Sequence, residues 1–150
     1  MRRYLLLVAA LATQACTNEI AGLGPPSDPA TELFASSLGV NLAAMTKTPD
    51  GLYFRDITTG GGALVTKDTT VIVNYSGYLS DGTLFDSGNQ SSFSLTSVVA
   101  GVREGIIGMR VGGRRQLVIP SALGYGKTGS PPTIPRQSTL VFTIDLTSIP

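Results

Sequence analysis

The sequence contains no histidine and a single cysteine, Cys16. No His-based triad, Cys–His dyad or Cys/His zinc site can be assembled from it, and no disulfide can close within one chain. Tyrosine hydroxyls, carboxylates and aromatic faces are among the groups that remain to bind and orient a ligand. Tyr125 lies between Gly124 and Gly126 in a Gly/Pro-rich stretch, where an aromatic ring has little reason to be held unless it packs over something. Asp86 follows a hairpin signal and reads as turn chemistry, a surface acid or a site carboxylate. Tyr75 and Phe85 fall in strand-like runs, where aromatic side chains usually serve as core. Eleven basic and ten acidic residues give a formal net charge of +1, with no basic stripe or acidic tail. That balance argues against a nucleic-acid partner.

Cys16 has a different chemistry, that of an acylation site. Arg2 and Arg3 precede an apolar run from Tyr4 to Ala12. The run is too short for an ordinary bilayer-spanning helix, which needs roughly 20 apolar residues. A positive start, a short apolar core and small residues beyond match a secretory signal, expected here over residues 1–15. Two cleavage readings compete. A cut between Ala15 and Cys16 makes Cys16 the lipidated first residue of a lipoprotein, whereas an ordinary signal peptidase cuts after Ala12 or Ala15. The first resembles bacterial lipobox signals in Ala15-Cys16 and departs from them at Thr13 and Gln14. A free thiol is a liability in an oxidising compartment, and acylation removes it. The expected location is the cell envelope, periplasm or outer membrane, with the membrane reached only through the lipid anchor.

The elements that must position these groups follow from periodicity. At 150 residues there is room for one domain. Residues 16–50 read as a linker and lead-in, with Gly24-Pro25-Pro26 as a spacer. Leu33, Phe34, Leu38, Leu42 and Met45 fit either one short amphipathic helix over about 30–45 or a loosely ordered lead-in with one apolar patch. From residue 51 the texture becomes β. Strands are expected at Leu52–Ile57, Thr69–Leu79, Leu84–Ser87, Phe93–Leu95, Arg114–Ile119 and Leu140–Ile149. The Asp81-Gly82 pair marks a tight hairpin. Val98, Val102, Ile106 and Met109 recur at helical spacing, although Gly101, Gly105 and Gly108 weaken that helix by up to about 1 kcal/mol each relative to alanine. Together these features predict an α+β domain over 51–150, with a curved antiparallel sheet on one short helix.

Four segments carry a more specific likeness. They are Val73-Asn74-Tyr75-Ser76-Gly77-Tyr78-Leu79 with Asp81-Gly82-Thr83-Leu84-Phe85-Asp86-Ser87; Val98-Val99-Ala100-Gly101-Val102-Arg103-Glu104-Gly105; Met109-Arg110-Val111-Gly112-Gly113-Arg114-Arg115; and Ile119-Pro120-Ser121-Ala122-Leu123-Gly124-Tyr125-Gly126, followed by Ile134-Pro135 and Leu140-Val141-Phe142. In this order and spacing the chain resembles the FKBP-type peptidyl-prolyl isomerases. The resemblance implies an FKBP-like curved sheet of five to six antiparallel strands wrapped around one short α-helix. It also implies cis/trans isomerisation of Xaa-Pro bonds in proline-containing polypeptides, binding of FK506-like macrolides, and no metal or cofactor.

Carried over by position, the catalytic residues are Tyr75, Asp86 and Tyr125. Phe85, Phe93, Val98, Val99, Val102, Ile134 and Phe142 bind substrate, the Val99 N–H and Tyr125 hydroxyl donating to ligand carbonyls. Val98 is also read as helix core, and Phe142 as core or lining. Val102 departs from the family, which usually places tryptophan at the pocket floor. A deeper floor is therefore expected, and with it the rival reading of a proline-segment binding module with little turnover.

Overall fold

The computed structural model describes residues 27–150. The expected signal over 1–15 and Cys16 lie outside the described residues. Alternating apolar side chains set the sheet. Its strands are β1 (Thr46–Lys47), β2 (Tyr53–Thr58), β3 (Thr70–Leu79), β4 (Leu84–Ser94), β5 (Arg114–Ile119) and β6 (Leu140–Ser148). They pair antiparallel throughout in the order β1-β2-β5-β6-β3-β4. On β3, Val71 and Val73 are buried against the inner face, which Leu117 and Ile119 of β5 and Leu140, Phe142 and Ile144 of β6 share. The one α-helix, α1 (Ala100–Ile106), closes this core with Val102 and Ile106. The architecture is the expected α+β arrangement of a six-stranded sheet around a short helix.

Three expectations differ from what forms. The two short strands expected at Leu84–Ser87 and Phe93–Leu95 are parts of one eleven-residue strand, β4. Its continuity is hidden in the sequence by two register shifts, near Phe85 and near Gln90, where φ is +49°. The helix is shorter than the Val98–Met109 spacing suggests, because Val98 is extended (ψ 163°) and Gly108 takes φ +92°. Its glycines also do more than weaken it. A Cβ on Gly101 would lie 2.4 Å from Ile119, and one on Gly105 would lie 2.5 Å from Leu117. The bare glycine face therefore lets the helix sit directly on β5. Buried Arg115 ties the same contact from the other side. It donates to the Gly105 carbonyl at 3.0 Å and holds Asp56 through two bonds of 2.7 and 3.0 Å. Phe54 stacks beneath its guanidinium at 4.6 Å.

The third difference is the lead-in. It forms neither a single helix nor a loose tail, but single turns of 3-10 helix at Pro29–Thr31, Ser36–Leu38 and Leu42–Ala44 that lie as a strap across the sheet's outer face. Besides the bonds that close these turns, its backbone bonds to the sheet. Gln116 Nε2 donates to the Leu38 carbonyl at 2.7 Å, Arg55 to that of Gly39 at 3.2 Å, and the Ala35 N–H donates to Ser80 O at 2.8 Å. Gly39, at φ +59°, ends the middle turn. Phe34, Leu38, Leu42 and Met45 cover Tyr53, Val118 and Val141, whereas Leu33 is 92% exposed. The folded body thus includes residues well before 51, Ser27 among them.

The glycine face makes a test. Alanine raises intrinsic helix propensity by roughly 1 kcal/mol, yet at position 105 its methyl group must displace fully buried Leu117. Overpacking of this kind costs about 1–3 kcal/mol. Gly105→Ala is therefore expected to lower the urea midpoint, and a midpoint at or above wild type would refute the close-packing account.

Candidate functional site

Between α1 and the inner face of β3, β4 and β6 lies a cavity of about 310 Å³. One wall is aromatic. Phe142, 7% exposed, stands at its centre, with the Phe85 ring edge-on at 5.5 Å and Tyr75 tilted at 6.4 Å. Phe93 meets Tyr75 edge-on at 5.4 Å. Edge-to-face pairs of this kind align the positive ring edge with the negative face of the neighbour. Two glycines make room for the array. A Cβ on Gly77 would fall 2.7 Å from Phe142 and 2.8 Å from Phe85, and one on Gly88 would fall 2.5 Å from Tyr75.

The register shift at Phe85 has a purpose visible here. In a regular strand, consecutive side chains point to opposite faces. The extra residue between the pairs Gly77–Asp86 and Tyr78–Leu84 lets Phe85 reach the core while Asp86 still borders the cavity. The Tyr75 hydroxyl donates to Asp86 Oδ2 at 2.9 Å, fixing the carboxylate at the mouth. Val102 forms the floor at 8% exposure, flanked by Val98 and Val99. Val99 immediately precedes α1, and its carbonyl accepts from Val102 and Arg103. Across the mouth stands Tyr125, 38% exposed, in a loop pinned where the Gly124 and Gly126 N–H groups both donate to Ser121 O at 3.0 and 2.8 Å.

The structure thus brings Tyr75, Asp86, Tyr125, Phe93, Val98, Val99, Val102 and Phe142 around one space. Phe85 and Ile134, expected to line it, stand behind its wall. Phe85 buttresses Phe142, and Ile134, 4% exposed, joins the core and closes its own loop against Ser130. Phe142 is at once core and lining, and Val98 is half-buried at the cavity rather than fully in the core. Sequence reasoning missed Val73, Ser97, Ile106 and Ile144. Strand parity signals two of these, since Val73 is two residues from Tyr75 and Ile144 lies opposite Tyr75 on β6. Ile106, four residues from Val102, shares its helix face. Ser97 sits in a 3-10 turn with no such signal. No group of metal-ligating side chains occurs among the described residues.

Burial, aided by the bond to Asp86 and by that carboxylate's charge, pushes the Tyr75 hydroxyl from 10.0 up to about 12. A raised value in the folded state means that the associated stability is intact below pH 10.0. It is lost as pH climbs towards about 12. The stability difference between wild type and Tyr75→Phe, measured by urea unfolding across that window, should therefore shrink with rising pH. A difference that stays constant would show that the hydroxyl titrates without coupling to the fold.

A family model described as FKBP-type peptidyl-prolyl cis-trans isomerase matches residues 61–147. "FK506-binding protein 4" of Rhizopus delemar is 44% identical over 110 residues, covering 70% of this chain and 29% of that protein. "FKBP-type peptidyl-prolyl cis-trans isomerase FkpA" of Escherichia coli K12 is 39% identical over 122 residues, covering 79% and 43%. The chain thus spans less than half the length of these two curated relatives. Among solved structures, a peptidyl-prolyl cis-trans isomerase of Pseudomonas syringae superposes with a TM-score of 0.69 at 31% identity, covering 76% of this chain and 86% of that one. The E. coli FkpA crystal structure gives 0.66 at 40% identity, covering 71% and 51%. Matched by that family model over more than half of its length, this chain belongs to the FKBP-type peptidyl-prolyl cis-trans isomerase family.

Proposed function

We propose that the protein isomerises Xaa-Pro bonds of exported polypeptides, by binding the twisted amide in the cavity between α1 and the sheet. The observation that carries this reading is the pairing of an aromatic, largely apolar cavity with a few fixed polar groups at its mouth. Rotation about a peptide bond is opposed by a resonance barrier of roughly 18–20 kcal/mol. At Xaa-Pro bonds both isomers are accessible, but exchange without a catalyst takes on the order of tens to hundreds of seconds. Twisting removes conjugation and makes the amide less polar than its planar form. An apolar enclosure therefore favours the twisted state over the ground state, which is differential binding of the kind that raises a rate. No nucleophile, metal or general base is needed, in keeping with a chain that has no histidine.

Each residue has a part in this scheme. Phe93, Val98, Phe142 and the Val102 floor enclose the prolyl ring, with Phe85 and Ile134 as their backing. The Tyr125 hydroxyl and the Val99 N–H hold the carbonyls on either side, so that one half of the bond turns against a fixed other half. Asp86, oriented by Tyr75, polarises the mouth. FK506-like macrolides would occupy the same space.

Val102 supports a second reading, a module that captures proline-containing segments with little turnover, because a small floor leaves the prolyl ring loosely packed. A protease-coupled assay on an Xaa-Pro peptide separates the two. The isomerase reading expects a wild-type rate above background, lowered about threefold to tenfold by Tyr125→Phe, as for loss of one hydrogen bond. Asp86→Leu should lower it as well. No wild-type rate, with one appearing in Val102→Trp, would decide for the binding module.

We further propose export to the cell envelope with a lipid anchor on Cys16, on the strength of the signal-like residues 1–15. A Cys16→Ala variant should then move from the membrane fraction to the soluble fraction. Retention in the membrane would overturn the anchor.

A further inference from the structure

The strap that crosses the outer face of the sheet begins beside the loop that carries Tyr125. Both roots of that loop, where it leaves β5 at Pro120 and rejoins β6 at Thr139, touch the first residues of the strap. At one root, Thr139 is 1% exposed, and its hydroxyl donates to Ser27 Oγ at 3.0 Å and stands 3.4 Å from Glu32 Oε2. The other oxygen of the same carboxylate, Oε1, accepts from the Ser80 hydroxyl at 2.8 Å. Glu32 therefore bridges the end of β3 and the start of β6. At the other root, Ser27, Asp28 and buried Pro29 face Pro120, Ser121 and Ala122 across a narrow cleft. Ser121, 3% exposed, is the residue whose carbonyl receives the N–H groups on both sides of Tyr125.

We propose that Glu32 is a positioning residue for Tyr125, and that the strap is a working part of the site. The inference rests on the isomerase reading for one of its two measurements. Residue 32 lies outside the segment matched by the family model, residues 61–147. Its physical basis is local. Eighteen residues separate Pro120 from Thr139, and within them the loop is held mainly by bonds to itself, such as Gly129 N–H to Tyr125 O and Gln137 N–H to Gly126 O. A self-bonded loop opens as a unit unless its roots are fixed, and the low-stability parts of a fold open independently of its sheet. The Glu32 carboxylate fixes one root by accepting from the Ser80 hydroxyl at the end of β3 while its other oxygen stands beside Thr139 at the start of β6.

The test uses the full chain and the variants Glu32→Ala, Glu32→Gln, Tyr125→Phe and the double variant Glu32→Ala/Tyr125→Phe. Amide hydrogen exchange is read at Gly126, Gly129, Ile134 and Gln137, whose N–H groups are bonded inside the loop. Glu32→Ala is expected to speed exchange at these amides about threefold to tenfold, the scale of one lost hydrogen bond, and to leave the β2–β5 amides unchanged. Glu32→Gln, which keeps an acceptor for Ser80 and offers a donor to Thr139, should behave as wild type. In the isomerase assay, Glu32→Ala should lower kcat/KM by a similar factor. The double variant should lose less than the product of the two single losses, because both act through one ring.

Unchanged loop exchange in Glu32→Ala, equal acceleration across the whole sheet, failure of Glu32→Gln to rescue, or multiplicative losses in the double variant would each overturn the proposal. If wild type shows no isomerase activity, the exchange pattern alone decides, so failure of the functional reading is told apart from failure of the brace.

Discussion

A seven-residue helix with two glycines has little tendency to exist alone, and everything at the cavity depends on what holds it. Gly101 and Gly105 sit one turn apart and bring the helix backbone against Ile119 and Leu117, closer than any side chain would allow. Arg115 then fastens the Gly105 carbonyl from below. With that face committed to β5, the neighbouring stripe of Val102 and Ile106 can point only into the space under β3 and β6. The depth of the cavity is thus fixed by the distance between a glycine and a leucine, and its floor by the size of Val102.

The same use of missing side chains recurs on the sheet. Gly77 and Gly88 vacate volume that Phe85, Phe142 and Tyr75 then fill with their ring edges. The wall is rigid because each ring is stopped by another, and the one polar contact inside it, Tyr75 to Asp86, is satisfied at both ends. With Asp86 as its acceptor, the Tyr75 hydroxyl serves to aim a carboxylate at the mouth. Apolar enclosure and polar aim therefore come from one set of side chains.

Much of this was legible in the sequence, for identifiable reasons. The first half of β3 and β6 from Phe142 onward alternate, the Asp81-Gly82 turn has one good conformation, and Tyr125 between two glycines stands out as a held aromatic. Features that depend on a partner distant in sequence were not legible. That Phe85 and Ile134 stand behind the cavity wall was not legible, since Phe85's depth is set by a register shift and Ile134's by how its loop closes on Ser130. The unity of β4 was hidden by its register shifts. Residues 29–45 carry apolar spacing near that of a helix, but Arg55, Gln116 and Ser80 offer their backbone better partners than a helical ladder does. The glycines of α1 read as weakness until the side chains opposite them were known.

The contacts of Ser27 have a mechanical consequence. Ser27 meets the domain at the roots of the Tyr125 loop, not at a far edge of the sheet. Any pull along the polypeptide ahead of Ser27 is borne first by the Thr139 and Pro29 contacts, in the direction that loosens the loop. The six strands, bonded to one another across their length, carry little of that load. Tension and slack at Ser27 would therefore present the cavity with different rims.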